Sequence, residues 1–236
     1  MNMESGISFD GIHSSEFFLK LKNIYIPQPE PKTNKISIPG ADGNIDLSEI
    51  SGKVNYEDRD GVEFTFDFNG NYDAWFTYYS KLSGFLHGRK IRTILDDDPN
   101  YYYMCRLSVD GTKSNPVIGE IVLSGSADPY KYDITSSMDD WLWDSFNFET
   151  GVIREYKNIS VYTSGYLDIP AGGVSVAPIF NVSSISGSLA VVYSGRSYPL
   201  KTGYNRIPQI RIGKTAVRLN FTGTGTFSID YRGRYL

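Results

Sequence analysis

The sequence predicts a mainly β protein of two domains: an N-terminal β-domain with one helix, followed by a C-terminal β-sandwich. Apolar and polar residues alternate along many short segments, which is the pattern of strands that bury one face. Aromatic residues make up 14% of the 236 residues, with 18 tyrosines, and aromatic side chains favour strands. In the stretch 133–160 the composition changes from acids and long aromatics to Gly, Ser, Thr and basic residues. We therefore predict domains at 1–135 and 136–236.

The first elements of the N-terminal domain are predicted to be strands. Short apolar segments occupy residues 7–26, and the proline-rich 27–31 ends them because proline cannot donate to a sheet. Residues 35–47 alternate isoleucines around Pro-Gly and Asp-Gly turn signals, which predicts a hairpin. Residues 61–68, GVEFTFDF, form the clearest strand. Its buried face is predicted to carry Val62, Phe64, Phe66 and Phe68.

One segment, residues 71–88, has the periodicity of a helix instead. Its aromatic stripe is predicted to pack on a sheet and consists of Tyr72, Trp75, Phe76, Tyr79 and Leu82. Asn71 or Asp73 is predicted to cap the start of the helix, and Gly84 or Gly88 to end it. Strands are predicted to resume at 91–95, 101–109 and 117–123.

The second half of the chain shows short alternating strands separated by glycine-containing turns, which is typical of a sandwich. The segment GTGT, residues 223–226, is predicted to be a hairpin turn between two of these strands. Trp141 and Trp143, in SMDDWLWDSFNFETG, alternate as on a strand or form a plug between the domains.

Charge is divided unevenly along the chain. Residues 1–150 contain 13 Lys or Arg against 24 Asp or Glu, and residues 151–236 contain 10 against 3. This division indicates domains with different neighbours, or only scattered solvated side chains. Cys105 is the single cysteine, which excludes an internal disulfide and a Cys-based zinc cage. With no apolar run long enough for a bilayer and no signal-peptide pattern, we expect a soluble protein with no membrane partner.

The segment ILDDDPNYYYMCRL, residues 94–107, is the most conspicuous candidate site. Asp96, Asp97 and Asp98 are contiguous, whereas a calcium loop spaces its acids at alternate positions and adds a distal glutamate. Paired carboxylates of glycosidases face each other across a cleft, and neighbours in one turn rarely do so. We predict a turn at Asp96–Asn100 between two strands, in which Pro99 fixes the backbone and Asp or Asn side chains bond nearby main chain.

Residues for nucleophilic catalysis are scarce. A serine or cysteine nucleophile needs a base in reach, and the only histidines are His13, in a polar stretch, and His87, at the predicted helix end, where a cation suits the helix dipole. Cys105 alternates inside a predicted strand as a small buried hydrophobe. Phosphate- and dinucleotide-binding glycine motifs are absent from the sequence. We therefore predict no enzyme, with no catalytic, cofactor-binding or metal-binding residue and no cofactor.

Two binding functions remain to be weighed on the second half. Its basic residues are spread singly, whereas a nucleic-acid footprint clusters them. Tyr193, Tyr198 and Tyr204 lie in or beside glycine-bearing turns, where a sandwich can present aromatic platforms to a sugar. The alternative function is therefore that of a carbohydrate-binding or adhesin-like surface β-sandwich protein.

Four motifs, taken together in order, resemble a known family. They are ISIPGADGNIDL, the aromatic helix leading into GFLHGRKIRTILDDDPNYYYMCRL, GEIVLSGSADPYKYD, and GYNRIPQIRIGKTAVRLNFTGTGTFSIDYRGRYL. Their order and spacing over nearly the whole chain resemble the distal tail proteins of long-tailed, non-contractile bacteriophages and prophages, a siphophage tail component family.

The resemblance implies a structural hub of the phage tail tip, or baseplate, in the virion, made in the host cytoplasm. The N-terminal domain would form a homo-hexameric ring that joins the tail tube protein to a tail-associated lysin or tail-tip protein. The tape measure and receptor-binding proteins are further candidate partners, and DNA would pass through the channel without sequence-specific binding. The C-terminal domain would be a galectin-like docking scaffold, because galectins bind sugar through histidine and tryptophan, and residues 144–236 contain neither.

The acids after Pro39 lead to a hypothesis about that channel, although the assembly interface itself is not predicted. An acidic wall would repel phosphate and keep DNA from adhering in transit. We expect several of these acids to face the lumen or, as the alternative, to solvate the outer wall; they are Asp42, Asp46, Glu49, Glu57, Asp58 and Asp60.

Overall fold

A computed structural model describes residues 5–50, 52–113, 119–135, 137, 156–170, 174–213 and 215–236. Within these ranges the chain is mainly β with one α-helix, which confirms the predicted fold class. The chain divides into two compact units, Met1–Lys131 and Tyr132–Tyr235. Trp141 and Trp143 lie outside the described residues, and the domain boundary predicted from composition remains a prediction.

The first unit is organised around one antiparallel sheet. The strands of this unit are β1 Ile7–Phe9, β2 Ile12–His13, β3 Leu19–Tyr25, β4 Lys35–Ser37, β5 Asn44–Asp46, β6 Arg59–Phe68, β7 Lys90–Leu95, β8 Tyr101–Lys113 and β9 Gly119–Ala127. Seven of them follow the order β2-β1-β7-β8-β9-β6-β3, while β4 pairs only with β5. The predicted face of β6 is buried, from Val62 to Phe68.

This sheet curls around its own core. Four strand spacings, about 19 Å in a flat sheet, separate β1 from β6. The rings of Phe9 and Phe64, one from each strand, nevertheless lie with their centroids 6.5 Å apart. Both side chains are fully buried, so the two distant strands contribute to the same core.

The helix α1, Trp75–Leu86, follows a 3-10 turn at Tyr72–Ala74 and packs on this sheet. The indole of Trp75 lies against the main chain of β9, where a Cβ on Gly119 would come within 2.3 Å of the ring. The prediction for Phe76 is wrong, since that side chain is 70% exposed and the buried positions are Trp75, Leu82 and Leu86. No side chain caps the helix at Ala74, so the predicted caps are also wrong, whereas Gly88, at φ +72°, follows its end.

The second unit contains one bent antiparallel sheet. The strands of this sheet are β11 Ile159–Val161, β12 Ser164–Ile169, β13 Ile179–Tyr193, β14 Arg196–Pro199, β15 Gly203–Arg206 and β16 Val217–Asp230. Outside it, β10 Lys131–Asp133, which begins at the last residue of the first unit, pairs with β17 Arg234–Tyr235. The long strands β13 and β16 pair along their length. One half of this pair is flanked by β12 and β14, and the other by β11 and β15.

The bend turns the two halves toward one core. Residues six apart on a straight strand lie about 20 Å apart. Phe221 and Phe227 on β16 have ring centroids only 4.5 Å apart, and Phe180 of β13 meets both rings edge-on. The segment GTGT is therefore not a hairpin turn as predicted; it lies inside β16 at the bend that folds the sheet over its core.

Candidate assembly surface

A long segment of the first unit connects β3 to β6. We call residues 27–58 the arm. Two main-chain hydrogen bonds of 2.8 Å join the two ends of the arm at its base. One runs from Lys32 N to the Asn55 carbonyl and the other from Glu57 N to the Glu30 carbonyl. Every residue from 31 to 46 is exposed. The arm is thus fixed at its base and covered by nothing else in the described chain over most of its length.

Arg59 closes the base from inside the unit. Its side chain is 2% exposed, and its guanidinium donates to the carbonyls of Pro27, at 2.7 Å, and Pro129, at 3.1 Å. The pKa of this guanidinium is lowered, because burial disfavours the charge. The start of the arm is therefore held by a buried cation that bonds carbonyl dipoles.

The predicted hairpin is confirmed as β4 and β5, with Ile36 paired to Ile45. These isoleucines are exposed, as is Ile38, and Ile50 just beyond the hairpin is 80% exposed. A lone two-stranded hairpin is marginal in water, and its apolar side chains gain stability only when something covers them. The exposed isoleucines of the arm are therefore typical of a surface that a binding partner covers.

The six acids of the channel hypothesis all lie on the arm or at its base, but they are not equivalent. Asp46 accepts hydrogen bonds from the main chain and hydroxyl of Ser48, which lower its pKa, and Glu57 pairs with Lys32 at 3.2 Å. No described side chain pairs with the other four, which are Asp42, Glu49, Asp58 and Asp60. The arm therefore offers carboxylates together with isoleucines, and whether any of them faces a channel stays a hypothesis.

The three aspartates form the predicted turn. Asp98 N bonds the Leu95 carbonyl and Tyr101 N bonds the Asp98 carbonyl, between β7 and β8. The carboxylates do not bond nearby main chain as predicted. That of Asp96 accepts from Gly6 N at 2.8 Å, and that of Asp98 pairs with Lys131 at 2.6 Å. The turn therefore fastens distant segments of the first unit.

His13 is also drawn into this contact. Its Nε2 lies 3.1 Å from the Asp96 carboxylate, and its Nδ1 lies 2.7 Å from the Ser15 hydroxyl, beside a cleft of about 170 Å³. A serine thus stands within reach of a histidine, which the sequence did not indicate. The single lone pair of Nδ1 accepts a hydrogen bond from Ser15 N at 3.2 Å, at the start of the 3-10 turn Ser14–Phe17, so it is already used. His13 therefore caps this turn, and Asp96 holds its ring in place.

Cys105 and His87, the other residues considered for nucleophilic catalysis, have structural roles. Cys105 is fully buried, and burial raises the pKa of its thiol to about 12, which confirms a buried hydrophobe. Nδ1 of His87 accepts a hydrogen bond from Val109 N at 3.0 Å, so this histidine ties the helix end to β8. Across the described ranges, no three His, Cys, Asp or Glu side chains gather at a spacing suited to a metal ion.

The candidate sugar platform is divided by the fold. Tyr193 and Tyr198 pack against the core of the second unit, and only Tyr204 is exposed. The sequence did not single out Tyr166, which is exposed on β12 beneath the guanidinium of Arg218, 4.5 Å from its ring centroid. Arg218 in turn forms a two-pronged pair with Asp168, with both distances 2.6 Å, and lowers the pKa of that carboxyl. The tyrosines therefore form no common platform.

Comparison with known proteins places the fold. No protein-family model and no curated protein matches the sequence. The crystal structure of SPP1 Dit (gp 19.1), described as a paradigm of the hub adsorption apparatus in phages that infect Gram-positive bacteria, is similar over 98% of this chain and 99% of its own, with a TM-score of 0.63 at 13% identity. Chains of the phage p2 baseplate in its activated conformation, with Sr or Ca, align over 97–99% of both chains at 13% identity, with TM-scores of 0.40 and 0.43. In the part of the chain that is described, no helix is long and apolar enough to cross a membrane.

Proposed function

We propose that this chain, which has the fold of SPP1 Dit, is a distal tail protein of a long-tailed, non-contractile phage. It would be a non-enzymatic hub of the tail tip or baseplate in the virion. As a homo-hexameric ring it would join the tail tube protein to the tail-tip and host-adsorption proteins and leave a passage for DNA. A tail-associated lysin, the tape measure and the receptor-binding proteins are its proposed neighbours.

The observation that carries this proposal is the extent of the structural likeness. The similarity to SPP1 Dit covers 98% of this chain, which includes residues of both units, and 99% of the other protein, so it is not confined to a single common β-domain. The arm adds a second, independent support. Exposed isoleucines on a hairpin with no core of its own favour a protein that acts in an assembly.

Oligomeric state is the property that tests the proposal. Size-exclusion chromatography with light scattering, followed by negative-stain imaging, should give a closed six-membered ring, either for the chain alone or after addition of tail tube protein. Monomers at every concentration, with and without tube protein, would contradict the hub. A carbohydrate-binding module, in contrast, can function as a monomer, and a chain that stays monomeric and binds cell-wall polysaccharide would favour that alternative.

A further inference from the structure

We propose that the exposed face of helix α1 is the surface on which the arm of a second copy of this chain docks. The inference rests on the proposed function, since it names the contact that would build the ring. It is carried by the complementary chemistry of two exposed surfaces in the first unit. The arm supplies isoleucines and unpaired carboxylates, and the helix face supplies an aromatic ring and cations.

The helix face has room for an apolar side chain. Phe76 is 70% exposed, and Ser80 and Gly84 follow it at four-residue intervals, so they lie in one row along the helix. Ser80 and Gly84 are small and exposed, which leaves a shallow strip beside a large ring. Isoleucines of a hairpin can cover Phe76 and enter this strip without displacing a larger side chain.

Cations surround the far end of the same face. Between residues 74 and 95 the sequence has four Lys or Arg and no Asp or Glu, although the first half of the chain is strongly acidic. Lys81 lies over the Tyr78 ring at 5.0 Å, and Arg89 and Arg106 donate to the carbonyls of Phe85 and Gly88. None of these three cations meets a carboxylate within the described residues. Opposite charges on the arm, Asp42 and Glu49, are unpaired as well.

Capping of the helix end explains part of this arrangement. Cations near a helix C-terminus stabilise the last carbonyls, and Arg89 and Arg106 do so. That role does not account for Lys81, which bonds no carbonyl. Docking of an acidic arm would give Lys81 a counter-charge, and it would use the donors of Arg89 and Arg106 that capping leaves available.

The occupant is a second copy because both surfaces are exposed on the same chain. Within one chain the arm does not cover the helix, and the helix does not cover the arm. When one surface of a copy binds a different surface of the next, every copy uses both, and the contact repeats until a ring closes or a filament grows. A six-membered ring is one closed form of this head-to-tail contact.

Charge exchange between the surfaces provides the first test. Asp42→Lys with Glu49→Lys reverses the arm, and Lys81→Glu with Arg89→Glu reverses the helix face. We expect each reversal to raise the concentration for half-assembly at least about tenfold, measured by sedimentation velocity, and the two together to restore most of the loss. Arg196→Glu with Lys201→Glu, on exposed cations of the second unit, changes the net charge equally and should leave assembly unchanged. Melting curves establish that each variant is folded.

Cross-linking provides the second test, which does not depend on charge. Cys105 is buried with a raised pKa, so cysteines introduced on the surface react selectively. A mixture of Ile45→Cys and Ser80→Cys chains should yield a two-chain product with a short bismaleimide, whereas Ile45→Cys mixed with Ser186→Cys should not. Rings that form normally in all reversal variants and give no Ile45→Cys/Ser80→Cys product would overturn this docking surface and leave the hub standing. Wild-type chains that never associate, alone or with tube protein, would overturn both.

Discussion

A Cβ on Gly223 would lie 1.9 Å from the carbonyl oxygen of Ser188, which lies in β13 where the pairing with β16 shifts register between Ser186 and Leu189. Gly223 also has φ +97°, a conformation that other residues reach only with strain. Close approach and backbone conformation therefore both require glycine at this position. The fold of the second unit depends on it, since the bend brings Phe221 and Phe227 together.

Gly223→Ala should destabilise the second unit by about 2 kcal/mol or more, as strain and clash add. Chemical denaturation with hydrogen exchange along β13 and β16 measures the loss. Gly195→Ala is the matched control, because Gly195 has φ +74° but open space around its Cβ position. Equal losses in the two variants would show that only the backbone conformation matters, and that the contact with Ser188 yields without cost.

Burial of Cys105 predicts a loss of stability at alkaline pH. The pKa of its thiol rises from 9.0 to about 12 in the folded chain, so between these values the unfolded chain loses the proton more readily. Stability from this group is fully present below pH 9 and declines as pH rises, with a limiting slope of about 1.4 kcal/mol per pH unit. In Cys105→Ala, urea unfolding between pH 9 and 11 should show a shallower decline by that amount. An unchanged slope, or rapid reaction of the folded thiol with a disulfide reagent at pH 8, would contradict the prediction.

Asp96 and Asp97 are adjacent, yet their removal should have different effects. Asp96→Ala should cost about 1 kcal/mol, because Gly6 N and the cap at His13 lose an acceptor that is partly exposed to solvent. Asp97→Ala should stay within about 0.5 kcal/mol, since its side chain is exposed. Urea denaturation and exchange of the Gly6 amide distinguish the two. Stoichiometric calcium that disappears in the double variant would instead restore a metal site to this turn.

The local sequence pattern was sufficient to predict an element wherever the element buries one face and exposes the other, or is joined by a recognisable turn. The alternation from Val62 to Phe68 and the turn signals between Ile36 and Ile45 both correspond to observed strands. The prediction for Phe76 fails because helical spacing includes it in the aromatic stripe, whereas only the side of α1 that carries Trp75 and Leu82 is buried against the sheet. The sequence at Gly223 predicts a turn because glycine favours both turns and strand bends, and only the pairing of β16 with β13 distinguishes the two.

The candidate surface depended on contacts that no local pattern reveals. The hydrogen bond from Gly6 to Asp96 spans 90 residues of sequence. Arg59 offered a local signal that was misleading: alternation counted back from Val62 places it on the exposed face. The register of β6 slips at Gly61, which has φ +82°, and this bulge turns Arg59 inward and Asp60 outward. A single inserted residue thus converts an ordinary surface arginine into the anchor of the arm.

That anchor gives the last prediction. Arg59→Met keeps most of the side-chain volume but removes the donors to Pro27 and Pro129, which should cost about 1–3 kcal/mol. Without Arg59, the main-chain hydrogen bonds at the base of the arm should open more often. Amide exchange at Lys32 and Glu57 and proteolysis within 27–58 should therefore become faster. In chains kept below the concentration at which they associate, Arg106→Met, which removes a guanidinium–carbonyl bond elsewhere in the same unit, should leave those amides unchanged. If Arg59→Met lowers stability while the amides of Lys32 and Glu57 stay protected from exchange, the main-chain hydrogen bonds hold the arm without Arg59. The buried cation then stabilises the sheet and not the arm.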